Sequence, residues 1–243
     1  MTGIAMTVGG SDSSGGAGIA ADLRTFAALG VHGTLAITAV TAQNASRVSE
    51  IHVLPAAMIR AQIDRIVEES PPNAVKTGML VNAEIVSCVA EAIRDHRLRN
   101  LVVDPVISSS SGTRLIDEGG LEAMRRQLFQ LTEILTPNLP ETEILLGRYV
   151  STLEERRAAA LDLCKLGPRA VVVKGGHAAT DATDIYCDGK ETLDLPAIRV
   201  AKGMRGSGCM FASAIAAGLA NGLNSNGAVW AAKKYVTRMI ETG

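Results

Sequence analysis

No block of lysine or arginine interrupts this 243-residue chain, and aromatic residues make up only 3% of it. Twenty-four basic against 25 acidic residues leave a formal net charge of −1, so the electrostatic footprint of a nucleic-acid binder is missing. No apolar run reaches membrane-spanning length, and residues 1–8 carry no basic, apolar leader. The expectation is a cytoplasmic protein with a small-molecule partner and no membrane. The four cysteines, Cys88, Cys164, Cys187 and Cys209, are widely separated without a Cys-x-x-C pair. The four histidines form no His-Glu-x-x-His helix, so neither a disulfide framework nor a zinc site is expected. Neither G-x-x-x-x-G-K-[ST] nor G-x-G-x-x-G occurs, which excludes the nucleotide P-loop and the dinucleotide fingerprint.

What is present is an apolar chain, 47% hydrophobic, with recurring β-then-α order. Strands are expected over 4–8, 34–40, 74–77, 101–103, 133–135 and 170–173, and helices over 19–29, 56–69, 83–96, 119–130 and 153–166. Asp188-Gly189 suits a tight hairpin turn, and two helices, over 208–220 and 228–240, complete the chain. The order implies an α/β fold with a central, mostly parallel sheet covered by helices on both faces, in a single domain over 1–243.

In such sheets ligands sit beyond the carboxyl ends of the strands. Gly9 to Gly18, Gln43-Asn44, Gly78-Met79, Asp104-Pro105, Asn138 to Glu141 and Lys174-Gly175-Gly176 all follow strands. Gly206-Ser207-Gly208-Cys209 opens an Ala-rich helix, where free N–H groups and the helix dipole can hold a phosphoryl group; the alternative is that the small residues only allow close packing. The same helix start gives Cys209 a reason for a lowered thiol pKa. Cys88, Cys164 and Cys187 read as inert. Asp104 and Glu141 suit a hydrated Mg²⁺, or else cap their own turns. Lys174 either neutralises phosphate or is the first solvated residue after a strand. His177 falls in a loop on the nucleotide side.

The most specific pieces, in order, are Gly10-Ser11-Asp12-Ser13-Ser14-Gly15-Gly16-Ala17-Gly18-Ile19, Ala21-Asp22-Leu23, Thr41-Ala42-Gln43-Asn44, Val75-Lys76-Thr77-Gly78-Met79-Leu80, Val103-Asp104-Pro105-Val106, Thr136-Pro137-Asn138-Leu139-Pro140-Glu141 and Val173-Lys174-Gly175-Gly176-His177. The set resembles the hydroxymethylpyrimidine and phosphomethylpyrimidine kinases of thiamine biosynthesis. The resemblance implies a ribokinase-like three-layer fold, ATP as phosphate donor, Mg²⁺, and a homodimer. It implies that Gln43 bonds the pyrimidine ring, that Gly10, Asp22 and Val106 help place it, and that Met79 lies against it. Lys174, Asn138, Gly206 and Gly208 would serve the nucleotide, with Ser207 in the same turn; Asp104 and Glu141 would act near Mg²⁺; Cys209 would be the base. Three features depart from the family. Arg205 stands where His is usual, Ser207 where Thr is usual, and the run Ser108 to Gly112 differs from the usual flap. A pyridoxal kinase of the same superfamily and a non-catalytic pyrimidine-binding module are the alternatives; Gln43 and Met79 favour the pyrimidine, and the intact Asp104, Glu141, Lys174 and Cys209 favour catalysis.

Overall fold

The computed structural model describes residues 2–176, 182–196 and 204–242. Along the chain, β1 (Ile4–Gly9), α1 (Gly18–Ala28) and β2 (His32–Ile37) are followed by β3 (Ala39–Gln43), β4 (Val48–Val53), α2 (Ala56–Glu69), β5 (Ala74–Thr77), α3 (Ala83–Asp95) and β6 (Leu101–Val103). Next come α4 (Glu118–Ala123), β7 (Thr132–Leu135), α5 (Leu139–Leu146), α6 (Leu153–Cys164), β8 (Ala170–Val173), β9 (Asp184–Cys187), β10 (Thr192–Leu195), α7 (Ser207–Ala220) and α8 (Ser225–Thr242).

Eight strands form one sheet in the order β10-β9-β8-β7-β6-β5-β1-β2. Pairing is parallel from β2 through β8 and antiparallel for β8–β9 and β9–β10. The central strands read as apolar runs because both faces are covered; every residue of β5, β6 and β8 is buried. Ile59, Val89, Phe129 and Leu163 belong to the core on one face, which α2 to α6 cover, while Phe26, Ile215 and Val229 belong to the core under α1, α7 and α8. This is the three-layer α/β arrangement implied by the sequence. The hairpin at Asp188-Gly189 is present: Gly189 has a φ of 87°, and Asp188 Oδ1 accepts the N–H groups of Lys190 and Glu191, each at 2.9 Å. Among the described residues no helix is long and apolar enough to cross a membrane.

Four segments differ from expectation: strand β4 and helix α5 are not among the expected elements, and two expected elements are altered. The strand expected over 34–40 is two strands, divided at Thr38, whose N–H donates to Gly9 O and whose hydroxyl donates to Met79 O at 2.6 Å. The chain leaves the main sheet there, and β3 pairs with β4 in a separate antiparallel ribbon. The helix expected over 119–130 is α-helical only to Ala123; a π turn (Met124–Leu128) and a 3₁₀ turn (Phe129–Leu131) follow and lead into β7.

Candidate active site

Strand order reverses at β1, which has β2 on one side and β5 on the other, so the carboxyl ends of β1 and β5 flank a switch-point crevice. A cleft of ≈ 850 Å³ including its mouth opens there. Of the residues singled out in the sequence, Gly10, Asp22, Gln43, Met79, Asp104, Val106, Asn138, Glu141, Lys174, Gly206, Gly208 and Cys209 line it; Ser207 does not. His177 lies outside the described residues.

One end is built for an anion. Gly206 precedes α7 with a φ of 76°, and a side chain at that position would run into the carbonyl oxygen of Gly16, so only glycine fits. No side chain caps α7 and no acidic residue stands in its first turn; its leading N–H groups and dipole face the cleft. Lys174 reinforces them: its Nζ lies 3.2 Å from where a Cβ on Gly208 would sit, and it pairs with Asp104 Oδ1 at 3.0 Å.

Beneath this end lies a buried charge cluster. Lys76, 1% exposed in the middle of β5, pairs with Asp22 Oδ2 at 2.9 Å. Asp22 also accepts the hydroxyls of Thr7 and Ser213, each at 2.7 Å. Burial is the largest single influence on Lys76 and would lower its pKa, but the charges of Asp22, Cys209 and Asp104 and the hydrogen bond to Asp22 together outweigh it, and the net shift is upward. Lys174 follows the same pattern, with burial overcome by Asp104 and Glu141. Burial raises the Glu141 carboxyl, Lys174 pulls it down and Asp104 pushes it up further, for a net rise.

Cys209 corrects the reading from sequence. Its position at a helix start favours the thiolate, but burial dominates; Lys76 and the Gly18 N–H pull downward while Asp104 and Asp22 push upward, and the thiol ends up at about 11. Asn138 and Glu141 are tied to each other in a capping box on α5: Glu141 N–H donates to Asn138 Oδ1 at 2.9 Å, and Asn138 N–H donates to Glu141 Oε2 at 2.8 Å. Ile107 N–H donates to the other Glu141 oxygen at 3.3 Å. Both residues therefore have the capping role that was the alternative for Glu141, while still facing the cleft.

The other end fits a flat ring. A Cβ on Gly10 would meet Met79 Sδ at 3.0 Å, so the glycine lets Met79 lie across the cleft floor. Val106 is held at a φ of 39°, a strained conformation for a β-branched residue, of the kind that collects at ligand sites. Gln43 closes this end, together with Arg205 from the segment before α7 and Ser108 to Ser110 at the mouth. Lys76 is a charged lining residue to which the residue patterns gave no role, whereas Arg205 reads from the sequence as a permanent charge near the phosphate path that helps bind ATP or alters the second phosphorylation. A lysine inside a four-residue strand that is otherwise Ala, Val and Thr was the available signal.

The model of the family described as phosphomethylpyrimidine kinase matches residues 12–243. The hydroxymethylpyrimidine/phosphomethylpyrimidine kinase of Synechococcus elongatus is 44% identical over 240 residues, covering 98% of this chain and 91% of that protein. A thiamine biosynthesis bifunctional protein of Geobacter sulfurreducens is also 44% identical, over 98% of this chain, which spans 49% of its length. The chain thus spans about half of the bifunctional relatives it matches. Among solved structures, a phosphomethylpyrimidine kinase from Clostridium difficile superposes with a TM-score of 0.87 at 37% identity, covering 98% of this chain and 99% of that one. The pyridoxal kinase of Staphylococcus aureus in complex with pyridoxal gives a TM-score of 0.91 at 32% identity, covering 100% of this chain and 89% of that one.

Proposed function

The chain belongs to the phosphomethylpyrimidine kinase family, and on that premise we propose that it transfers phosphate from ATP to 4-amino-5-hydroxymethyl-2-methylpyrimidine and then to the resulting monophosphate, a kinase step of thiamine biosynthesis. The observation that carries this reading is the single cleft that joins an uncapped helix start and Lys174 to a pocket floored by Met79 and closed by Gln43. Phosphoryl transfer passes through a loose transition state with charge on its outer oxygens, so positioning and charge stabilisation do most of the work. The N–H groups of Gly208 and Cys209 and the Lys174 ammonium supply that stabilisation. The ring sits between Met79 and Val106 with its amine edge toward Gln43, and its hydroxymethyl group reaches toward Cys209.

The charged groups fit Mg²⁺ held largely through its own water. Asp22, Asp104 and Glu141 outnumber Lys76 and Lys174, and Asp104 helps to push the Glu141 pKa up, so a further cation relieves the excess. No group of three or more His, Cys, Asp or Glu side chains is arranged to cage a metal among the described residues, in keeping with an ion that retains its hydration and takes one or two carboxylates. Asp104 and Glu141 would hold it, and it would offset the charge on the transferring phosphates. Family likeness supports ATP as donor and a cytoplasmic homodimer with one kinase domain over 1–243. The proposal concerns the kinase step alone, since the bifunctional relatives are about twice as long.

Cys209 is proposed as the proton acceptor. With its thiol at about 11, about one molecule in 10⁴ carries the thiolate at pH 7, and that fraction rises about tenfold per pH unit up to the pKa. If it accepts the substrate proton, kcat climbs with pH between 7 and 9. Cys209→Ser, whose hydroxyl is far less acidic, is expected to lower kcat by about 10²-fold or more and to abolish the climb, with KM for ATP changed much less. A pH–rate profile with the same slope in both proteins removes Cys209 from this role.

The test of the function is incubation with Mg-ATP and hydroxymethylpyrimidine, with pyridoxal alongside, following products by mass. Mono- and diphosphates of the pyrimidine are the expected result. The likeness to pyridoxal-bound Staphylococcus aureus kinase supports a second, slower reaction on pyridoxal. Phosphorylation of pyridoxal alone would make that the principal activity, and binding without product would overturn the catalytic reading.

A further inference from the structure

Gln43 is held through its backbone and through its side-chain oxygen. A bulge between Ala42 and Gln43 breaks the β3–β4 register, the device by which a strand re-aims a side chain. One hydroxyl holds its backbone on both sides: Gln43 N–H donates to Ser13 Oγ at 2.9 Å, and Ser13 Oγ–H donates to Gln43 O at 2.8 Å. Its side-chain oxygen accepts from Arg205 Nη2 at 3.3 Å. Arg205 is anchored in turn, with Nη2 3.0 Å from Asp12 Oδ2 and Nη1 donating to Ser14 Oγ. The Asp12 carboxylate is wholly buried and takes the N–H groups of Ser14 at 2.9 Å and Ala17 at 2.8 Å, and the Ser14 hydroxyl at 2.8 Å. The β1–α1 loop thus forms a rigid seat for one guanidinium, which reaches from the segment before α7 to the ring end of the cleft.

The chemistry of the two side chains determines what this seat does. A guanidinium carries donors only, whereas a primary amide carries an oxygen acceptor and two N–H donors. The amide must therefore turn its oxygen to Arg205, leaving its N–H groups and the second oxygen lone pair for a ligand. A glutamine free to flip would accept a ring hydroxyl or a ring nitrogen equally; a fixed one pairs best with a ring nitrogen that has an amine beside it. We infer that Arg205 is a positioning residue for the acceptor ring: it holds the Gln43 amide in the orientation that reads an aminopyrimidine edge, and so sets the preference for that ring over a pyridine lacking the adjacent amine. The inference rests on the pyrimidine reading proposed above. Phosphate binding is the competing role for a cation at this place. It would require Arg205 to leave the wholly buried Asp12 carboxylate, whose other donors, the Ser14 and Ala17 N–H groups and the Ser14 hydroxyl, are all neutral.

A double-mutant cycle separates the two roles, because residues that act through one another are not additive. Gln43→Ala, Arg205→Met and the double variant are assayed for KM and kcat with hydroxymethylpyrimidine, KM for ATP, and kcat/KM with pyridoxal. Each single change is expected to raise KM for the pyrimidine by about tenfold, the loss of one well-placed hydrogen bond, with a smaller effect on kcat. Arg205→Met should add less than about twofold once Gln43 is gone. It should also cut the preference over pyridoxal by about tenfold, and Arg205→Lys, which keeps the charge on Asp12, should restore part of it. A full tenfold loss from Arg205→Met in the Gln43→Ala background, or an effect confined to KM for ATP, overturns the inference and leaves the pyrimidine reading standing. Failure of the unsubstituted protein to bind or phosphorylate the pyrimidine overturns both.

Discussion

Lys174→Met is expected to lower kcat by about 10²–10³-fold, the range seen when one preorganised charge-stabilising donor is removed from a transition state. Lys174 is the group of this cleft best placed to follow negative charge as it moves from ATP to acceptor. Its ammonium lies against the Gly206–Gly208 turn and is held by Asp104 at 3.0 Å. Burial, which would discharge an isolated lysine, is outweighed by Asp104 and Glu141, so the group stays charged throughout the neutral range. Methionine keeps the length of the stem and removes the charge. The two carboxylates then face each other without their shared cation, and Glu141, already raised by burial and by Asp104, is expected to rise further and take up a proton. Protonation offsets part of the lost stability, so the fold should survive and the effect should appear in kcat, with a smaller change in KM for ATP. Steady-state kinetics at saturating pyrimidine check this; a kcat within about threefold of the parent would place the stabilisation in the helix start alone.

Much of the scaffold around that lysine can be read in the residues themselves. β6 and β8 are covered on both faces and appear as unbroken apolar runs bounded by polar turns, so the pattern finds them, and β5, equally buried, departs from such a run only at Lys76 and Thr77. The Gly206–Gly208 turn is equally legible, because its glycine spacing and the Ala-rich run after it are both local. The β3–β4 ribbon is not. The chain passes from main sheet to ribbon at Thr38 without glycine or proline, so 34–40 reads as one strand. β4 is largely exposed and half polar, without a buried face to mark it, which hides its pairing. The placement of Gln43 by Ser13 and Arg205 was illegible for the same reason, since 30 and 162 residues separate the partners. Cys209 shows the limit of local reasoning about charge: a helix start lowers a thiol pKa, but burial in the folded protein raises it, and Lys76, Asp104 and Asp22, which the fold brings in from distant parts of the chain, shift it by their charges.

The same distant pairing makes Asp22 the residue whose loss should cost the most stability. Asp22→Asn keeps the size of the side chain, and its remaining oxygen can still accept the Ser213 hydroxyl, which now lies 2.7 Å from Asp22 Oδ1. The other oxygen, however, serves Lys76 at 2.9 Å and Thr7 at 2.7 Å; an amide nitrogen there would point hydrogens at an ammonium. Lys76 is 1% exposed and cannot turn to water, so the variant leaves an uncompensated buried charge, a defect of about 3–5 kcal/mol. For a chain of this size the midpoint of thermal unfolding should fall on the order of 10 °C. The pairing raises the Lys76 pKa in the folded state. Its stabilisation is therefore fully present below the unfolded lysine value and is lost only as pH rises through the folded one, so the deficit of the variant should be constant across the neutral range. Adding Lys76→Met removes the stranded cation, and the double variant should unfold at a higher temperature than Asp22→Asn alone. Calorimetry on the three proteins distinguishes a buried ion pair from simple packing: if the second substitution lowers the midpoint further, Asp22 contributes through its shape and hydroxyl partners rather than through the charge of Lys76.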